Sequence, residues 1–302
     1  MQCPKCLFNQ EDQTTECLKC GLIFAKYESR STAASGPMPL ISSEPDEVAS
    51  VGTEEDRIEL WFRVFAVPLT LLIAGILVAS SLQPLVRIVL SMWVHECGHA
   101  VTAWLCGFGA FPGPWRTPIS EDRHALVTVL FLSGLGWGIF RAWKARNWYL
   151  ATAGFAVALL QLFCTLLPAH QAHALIIFGG DGGALVLGTL LMASFYAPRE
   201  SAVYRNGLRW GGLVIGAAGY MDSFATWWLS RNDFSRIPFG ENVGVGDSDP
   251  TVLVDRYGWT VQAMVNRYVW LGLACLSVLV LVYVIGILPA RSAVKKTENP
   301  HR

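Results

Sequence analysis

The sequence predicts an all-α polytopic membrane protein of about six or seven transmembrane helices, with a small cysteine-held module at its N-terminus. Three observations carry this. Hydrophobic residues make up 53% of the 302 residues and charged residues only 15%. From residue 59 onward, apolar runs recur at close to the roughly 20 residues that a bilayer demands of a helix. Tryptophan, whose ring favours membrane–water interfaces, occurs 12 times. The formal net charge is zero, so no basic excess points to a nucleic-acid partner.

The first 27 residues are polar and hold Cys3, Cys6, Cys17 and Cys20 in two C-x2-C pairs. Each pair fits a tight turn that offers two thiolates to one tetrahedral ion, and two such turns close a four-sulfur zinc site. The metal would hold together a unit too small to fold alone. The competing reading is a pair of disulfides in an oxidising compartment. Residues 1–27 resemble the short zinc ribbons at the N-termini of many bacterial proteins. Thiolates that must stay reduced place this end in the cytosol, and the expected location is a bacterial inner membrane. No basic region followed by a short apolar core precedes the ribbon, so the first apolar run, near Leu60, is expected to serve as the membrane signal.

Residues 28–56 are rich in Ser, Pro, Ala and acid, and read as a flexible linker. The membrane domain then occupies 57–290, with candidate spans at about 59–80, 83–105, 124–143, 148–168, 172–196, 209–230 and 262–288, and a polar tail at 291–302. Basic clusters at Arg141–Lys144–Arg146, Arg199–Arg205–Arg209 and Arg291–Lys295–Lys296 should all be cytosolic. Seven spans would then put the ribbon outside. Either an early segment is re-entrant or one basic cluster lies outside.

One apolar stretch breaks the pattern. "SMWVHECGHAVTAWLCGFG", residues 91–109, carries His95, Glu96 and His99. Ionisable groups are costly within a bilayer and mark function there. The H-E-x-x-H spacing puts His95 and His99 one helical turn apart on one face, where two imidazoles can bind one zinc ion. Glu96 is placed to take a proton from a metal-bound water without itself binding the metal. The bland alternative is a pair of core histidines bonded to backbone carbonyls.

Catalytic zinc takes three protein ligands and leaves one position open. Candidates for the third are Asp181, Asp222, His170 and His173. Asp181 is the best of them. It lies in an apolar run without a cationic partner in sequence, and Gly179, Gly180, Gly182 and Gly183 around it admit close approach of another helix or of substrate backbone.

"HECGHAVTAWLCGFG" followed by "GGDGG" resembles the site-2 protease family of intramembrane zinc metalloproteases. Gly98, Ala100 and Gly107 match that family's first element, Asp181–Gly182–Gly183 the second, and the likeness covers about residues 83–196, the family's catalytic core. The resemblance implies zinc held by His95, His99 and Asp181, with Glu96 as general base, and hydrolysis of peptide bonds in membrane-associated substrates. The chain would hold two zinc ions, one catalytic and one structural. Its partners would be a membrane protein or peptide substrate, the bilayer, and a cytosolic protein recruited through the ribbon.

The sequence departs from that family in three ways. The asparagine that many members carry ahead of the Asp-Gly is missing; Pro168 precedes "AHQAHALIIFGG", where His170, Gln171 or His173 would have to substitute. An extra span separates the two metal-binding elements, and no inserted PDZ domain is recognisable. The polar loop 231–258, with Asp247 and Asp249, reads as solvated, as a cap over the site or as a partner-binding segment; Cys97 and Cys106 read as small apolar fillers. Two other readings compete: a non-proteolytic membrane zinc-binding scaffold or sensor acting through the ribbon, and a metal transporter. Glu96 separates the first from a hydrolase, because a structural site needs no base. A transporter would spread polar residues over more spans than are found.

Overall fold

The structure is a computed structural model that describes residues 15–17, 20, 45–242 and 246–298, without the side chains of 45–53, 242, 293 and 295–298. The chain forms two compact units, Met1–Glu54 and Glu55–Arg302. In the first, Cys17 is buried and Cys20 half-buried. Cys3, Cys6 and most of the expected ribbon lie outside the described residues.

The second unit is built of helices. In chain order they are α1 (Pro45–Ala79), α2 (Gln83–Val86), a π-helical turn (Arg87–Ser91), α3 (Met92–Leu105), α4 (Ala125–Lys144), α5 (Trp148–Leu166), α6 (Ala169–Ala193), α7 (Ala202–Arg205), α8 (Leu208–Ser230), α9 (Asp249–Asp255) and α10 (Val261–Glu298). Strands β1 (Phe108–Ala110) and β2 (Ile119–Arg123) pair antiparallel between α3 and α4, and β3 (Glu241–Asn242) pairs with β4 (Gly246–Asp247) ahead of α9.

Among the described residues, five helices are long and apolar enough to cross a membrane: those of Glu54–Ala79, Ala125–Lys144, Trp148–Leu166, Ala169–Tyr196 and Val261–Ser292. Two of the seven expected spans are not among them. The 83–105 segment is no continuous helix, because the π-helical turn interrupts it and leaves α3 only 14 residues, about 21 Å at 1.5 Å per residue. Helix α8 has 23 residues but carries Arg209, Asp222 and other polar groups on a buried face. The boundaries differ too. Helix α1 starts at Pro45, within the expected linker, and α10 runs through most of the expected polar tail. The 231–258 loop is structured, holding a short 3-10 turn, the β3–β4 pair and α9.

Helices α3, α6 and α8 pack most tightly, and the sequence shows why. A β-carbon at Gly98 on α3 would strike the carbonyls of Gly179 and Gly180 on α6, and one at Gly183 would strike the Cα of Gly98. Glycine on both helices therefore allows backbone to touch backbone. Farther along α6, Gly188 and Gly216 of α8 meet in the same way. A core of Val67, Leu185, Met192, Leu213, Tyr220 and Leu279 joins α1, α6, α8 and α10. A second core around Trp227, Leu253, Met264 and Tyr268 seats α9 against α8 and α10. By contrast, α4 has no buried residue, and the α4–α5 pair stands apart as an apolar hairpin between the two elements expected to bind metal.

Candidate metal centre

His95 and His99 project from α3 toward α6, and Gly180 supplies the room. A β-carbon there would lie 2.5 Å from His99 Nε2 and 2.7 Å from His95 Nε2, closer than any stable contact.

Each imidazole is oriented from behind. His95 donates Nδ1–H to Asp181 Oδ1 at 2.9 Å. His99 donates Nδ1–H to the Ile176 carbonyl at 2.8 Å, and a carbonyl can only accept. In the neutral rings, both protons are therefore on Nδ1 and both Nε2 atoms present lone pairs. The two Nε2 atoms are 3.1 Å apart. Asp249 completes the triangle, with Oδ2 3.2 Å from His95 Nε2 and 3.1 Å from His99 Nε2.

Three acceptors thus converge on one point with no donor of their own among them. Either of two things satisfies that arrangement: a metal ion, or a proton carried by one of the rings or by the Asp249 carboxyl. Two imidazole nitrogens and one carboxylate oxygen are a donor set suited to zinc. Tetrahedral zinc with bonds of about 2.0–2.1 Å holds its ligands roughly 3.3 Å apart, close to the separations found here. Among the described residues, His95, His99 and Asp249 are the group able to hold a metal ion.

The sequence reading assigned the third position to Asp181, and the structure places that residue elsewhere. Its Oδ1 sits behind His95, on Nδ1, with the Ser223 hydroxyl 3.4 Å away. Its Oδ2 accepts from the Trp227 indole at 2.8 Å. Trp227 is held by stacking on Tyr268, with ring centroids 4.0 Å apart, and Tyr268 stacks in turn on Phe178 at 4.3 Å. Asp181 is therefore a buried carboxylate with its own donors, and its role is to fix the tautomer and tilt of His95.

Glu96 is buried, and its side chain accepts a hydrogen bond from the Thr117 hydroxyl at 2.7 Å. Thr117 lies on the β1–β2 connection, also 2.9 Å from the Glu96 backbone carbonyl, so this connection is tied to the motif helix. Glu96, His95, His99 and Asp249 line one cavity of about 1020 Å³, with Thr117 and Arg236 farther out.

The other candidates are elsewhere. Asp222 bonds across to the neighbouring segment, accepting from Ser91 at 2.6 Å and Gln83 at 3.0 Å, with Arg87 at 3.5 Å. Here the π-helical turn has a purpose: it carries Arg87 and Ser91 to α8. His173 bonds the Ala169 carbonyl and His170 stacks on Tyr257. Neither joins the cluster. Residues that sequence reasoning missed are Asp249 as the third member of the cluster that could hold a metal ion, Thr117 and Trp227. Asp249 alone left a trace, as an acid followed by proline in a loop already singled out. No family model, curated protein or solved structure matches this chain.

Proposed function

We propose that the protein is a zinc-dependent endopeptidase acting on peptide bonds within or beside the bilayer. The observation that carries this reading is the triangle of His95 Nε2, His99 Nε2 and Asp249 Oδ2 with the Glu96 carboxylate in the same cavity. A structural metal site has no use for a base beside it, so Glu96 favours hydrolysis over a scaffold.

A divalent ion in the triangle would polarise a scissile carbonyl and acidify water. The chain's own residues supply the rest. Asp181 and the Ile176 carbonyl hold both imidazoles as Nδ1–H tautomers, so neither ring needs reorienting when the cation arrives. Glu96 takes the proton of the attacking water and passes it to the leaving amine. Thr117 fixes that carboxylate through one oxygen and leaves the other for the proton. Ile176 and Asp181 lie seven and twelve residues into α6, roughly 10–18 Å along its axis. A substrate reaching this depth must come as extended chain, since a helix hides its peptide groups in its own hydrogen bonds.

The test uses the full chain purified in detergent, with fluorescein-labelled β-casein as a general probe. Wild type should hold one chelator-removable zinc per centre and cleave the probe. Glu96→Gln should keep the metal and lose at least about a thousandfold in rate, toward the upper end of what a positioned general base contributes. Undiminished cleavage by Glu96→Gln would refute the assignment.

A further inference from the structure

The helical unit has two ends of opposite character. At one, Glu59, near the start of the apolar part of α1 (Glu54–Ala79), receives Arg63 at 2.7 Å, Arg209 at 2.8 Å and the Tyr204 hydroxyl at 2.8 Å. Arg63 also donates to the carbonyl of Tyr196, just beyond α6, and to that of Gly286 on α10. The Glu59–Arg63 turn of α1, the end of α6, the start of α8 and the late part of α10 therefore lie at one level.

The opposite level is equally well marked. Ala79 at the end of α1 and Leu229 at the end of α8 line the metal-site cavity. Arg123 of β2 donates to the Leu167 carbonyl just ahead of α6, and His170 at the start of α6 stacks on Tyr257 just ahead of α10. Helix α5 returns to this level, where Thr165 bonds the Leu105 carbonyl. The α4–α5 turn at 145–147 is then about 30 Å away, at the level of Glu59.

Two consequences follow for the path of the chain. Helix α8 covers about the same distance as the Glu59–Ala79 part of α1, between the same two levels, despite its polar face. The 83–105 segment does not cross. Ser91 and Val94 sit beside Asp222 and Gly219, well inside α8, and α3 climbs back from there to meet β1.

All three basic clusters fall at the Glu59 end: 141–146 in the α4–α5 turn, 199–209 between α6 and α8, and 291–296 at the end of α10. The cavity end, residues 106–124 and 231–260, contains no lysine. Four of its five arginines are engaged locally: Arg123 with Leu167, Arg231 over Trp228, Arg236 with Asp233 and Arg256 over Tyr257. Clustered lysine and arginine beside spans mark the cytosolic side.

We infer that the chain crosses the bilayer six times, through α1, α4, α5, α6, α8 and α10, with 83–105 re-entrant, and that the metal-site cavity opens away from the cytosol, so that its substrates are polypeptide segments presented on the extracytosolic face. The word substrates rests on the proposed peptidase reading; the topology does not.

The test separates the two. Full-length chain is produced in a bacterial host with single substitutions Phe239→Cys, Tyr149→Cys or Glu200→Cys. All three positions are exposed: Phe239 next to the cavity-lining Pro238, Tyr149 beside the α4–α5 turn and Glu200 beyond α6. A membrane-impermeant PEG-maleimide is applied before and after permeabilisation, with the native chain as baseline for its own cysteines. Phe239→Cys should label in intact cells at least tenfold above baseline, and the other two only after permeabilisation. The reversed pattern, or Phe239 labelling on the same side as either of the others, would overturn the inference. Neither outcome depends on cleavage, so a catalytically dead protein leaves the topology standing and a reversed topology leaves the metal centre standing.

Discussion

Glycine serves opposite ends in two parts of this molecule. In the α3–α6 contact, Gly98, Gly180 and Gly183 are spaces that backbone and imidazole fill. In α4, Gly134, Gly136 and Gly138 face nothing within contact distance of where a β-carbon would go. Both helices are apolar, and both glycine sets recur at short intervals. What differs is the neighbour. One set lets two imidazoles settle between two helices; the other lies on α4, which has no buried residue, as befits lipid contact. A small residue in an apolar helix thus announces close packing only when something is there to pack.

The sharpest way to break this contrast is Gly180→Ala. The new methyl collides with both Nε2 atoms, so zinc content, measured on purified protein by mass spectrometry, should fall by one ion per chain even if the chain folds, leaving only what the N-terminal cysteines hold. Full zinc occupancy would show that the histidines have another way to converge. Next in size is the comparison of the two aspartates. Asp249→Ala removes a ligand and should weaken zinc binding by more than about a hundredfold, whereas Asp181→Asn perturbs only the group behind a ligand and should weaken it by about 10–100-fold. Competition with a fluorescent chelator measures both, and the reverse order would return Asp181 to the metal. The smallest effect is expected at Gly136→Ala. It should leave zinc and cleavage unchanged and raise helix stability by at most about 1 kcal/mol, read as thermal aggregation temperature in detergent.

The parts legible in the sequence follow from spacing and composition. The four-residue interval between His95 and His99 suffices to bring both rings to one face of α3, since 3.6 residues make a turn. The runs of apolar residues suffice to mark the helices of Glu54–Ala79, Ala125–Lys144, Trp148–Leu166, Ala169–Tyr196 and Val261–Ser292 as long enough to cross a membrane. The third ligand was not legible. An aspartate among four glycines says that something comes close, and the structure shows His95 doing so, but spacing cannot tell which nitrogen of that ring it will meet. Asp249 was hidden for the opposite reason. Acids are ordinary in polar loops, and only the burial of Leu253 and the seating of α9 against α6 and α8 fix it where the histidines point. The interruption of 83–105 escaped as well, because a π-helical turn changes hydrogen bonding without changing hydropathy.

The distance in sequence between the histidines and Asp249 has a consequence for biosynthesis. Translation delivers His95 and His99 long before the codon for Asp249 is read, and the segment bearing it must then settle against helices already made. A product truncated after α8 would carry the motif yet lack the anionic donor that finishes the cage. The three-atom cluster can therefore form only after the chain has been made past Asp249, beyond α8 and ahead of α10.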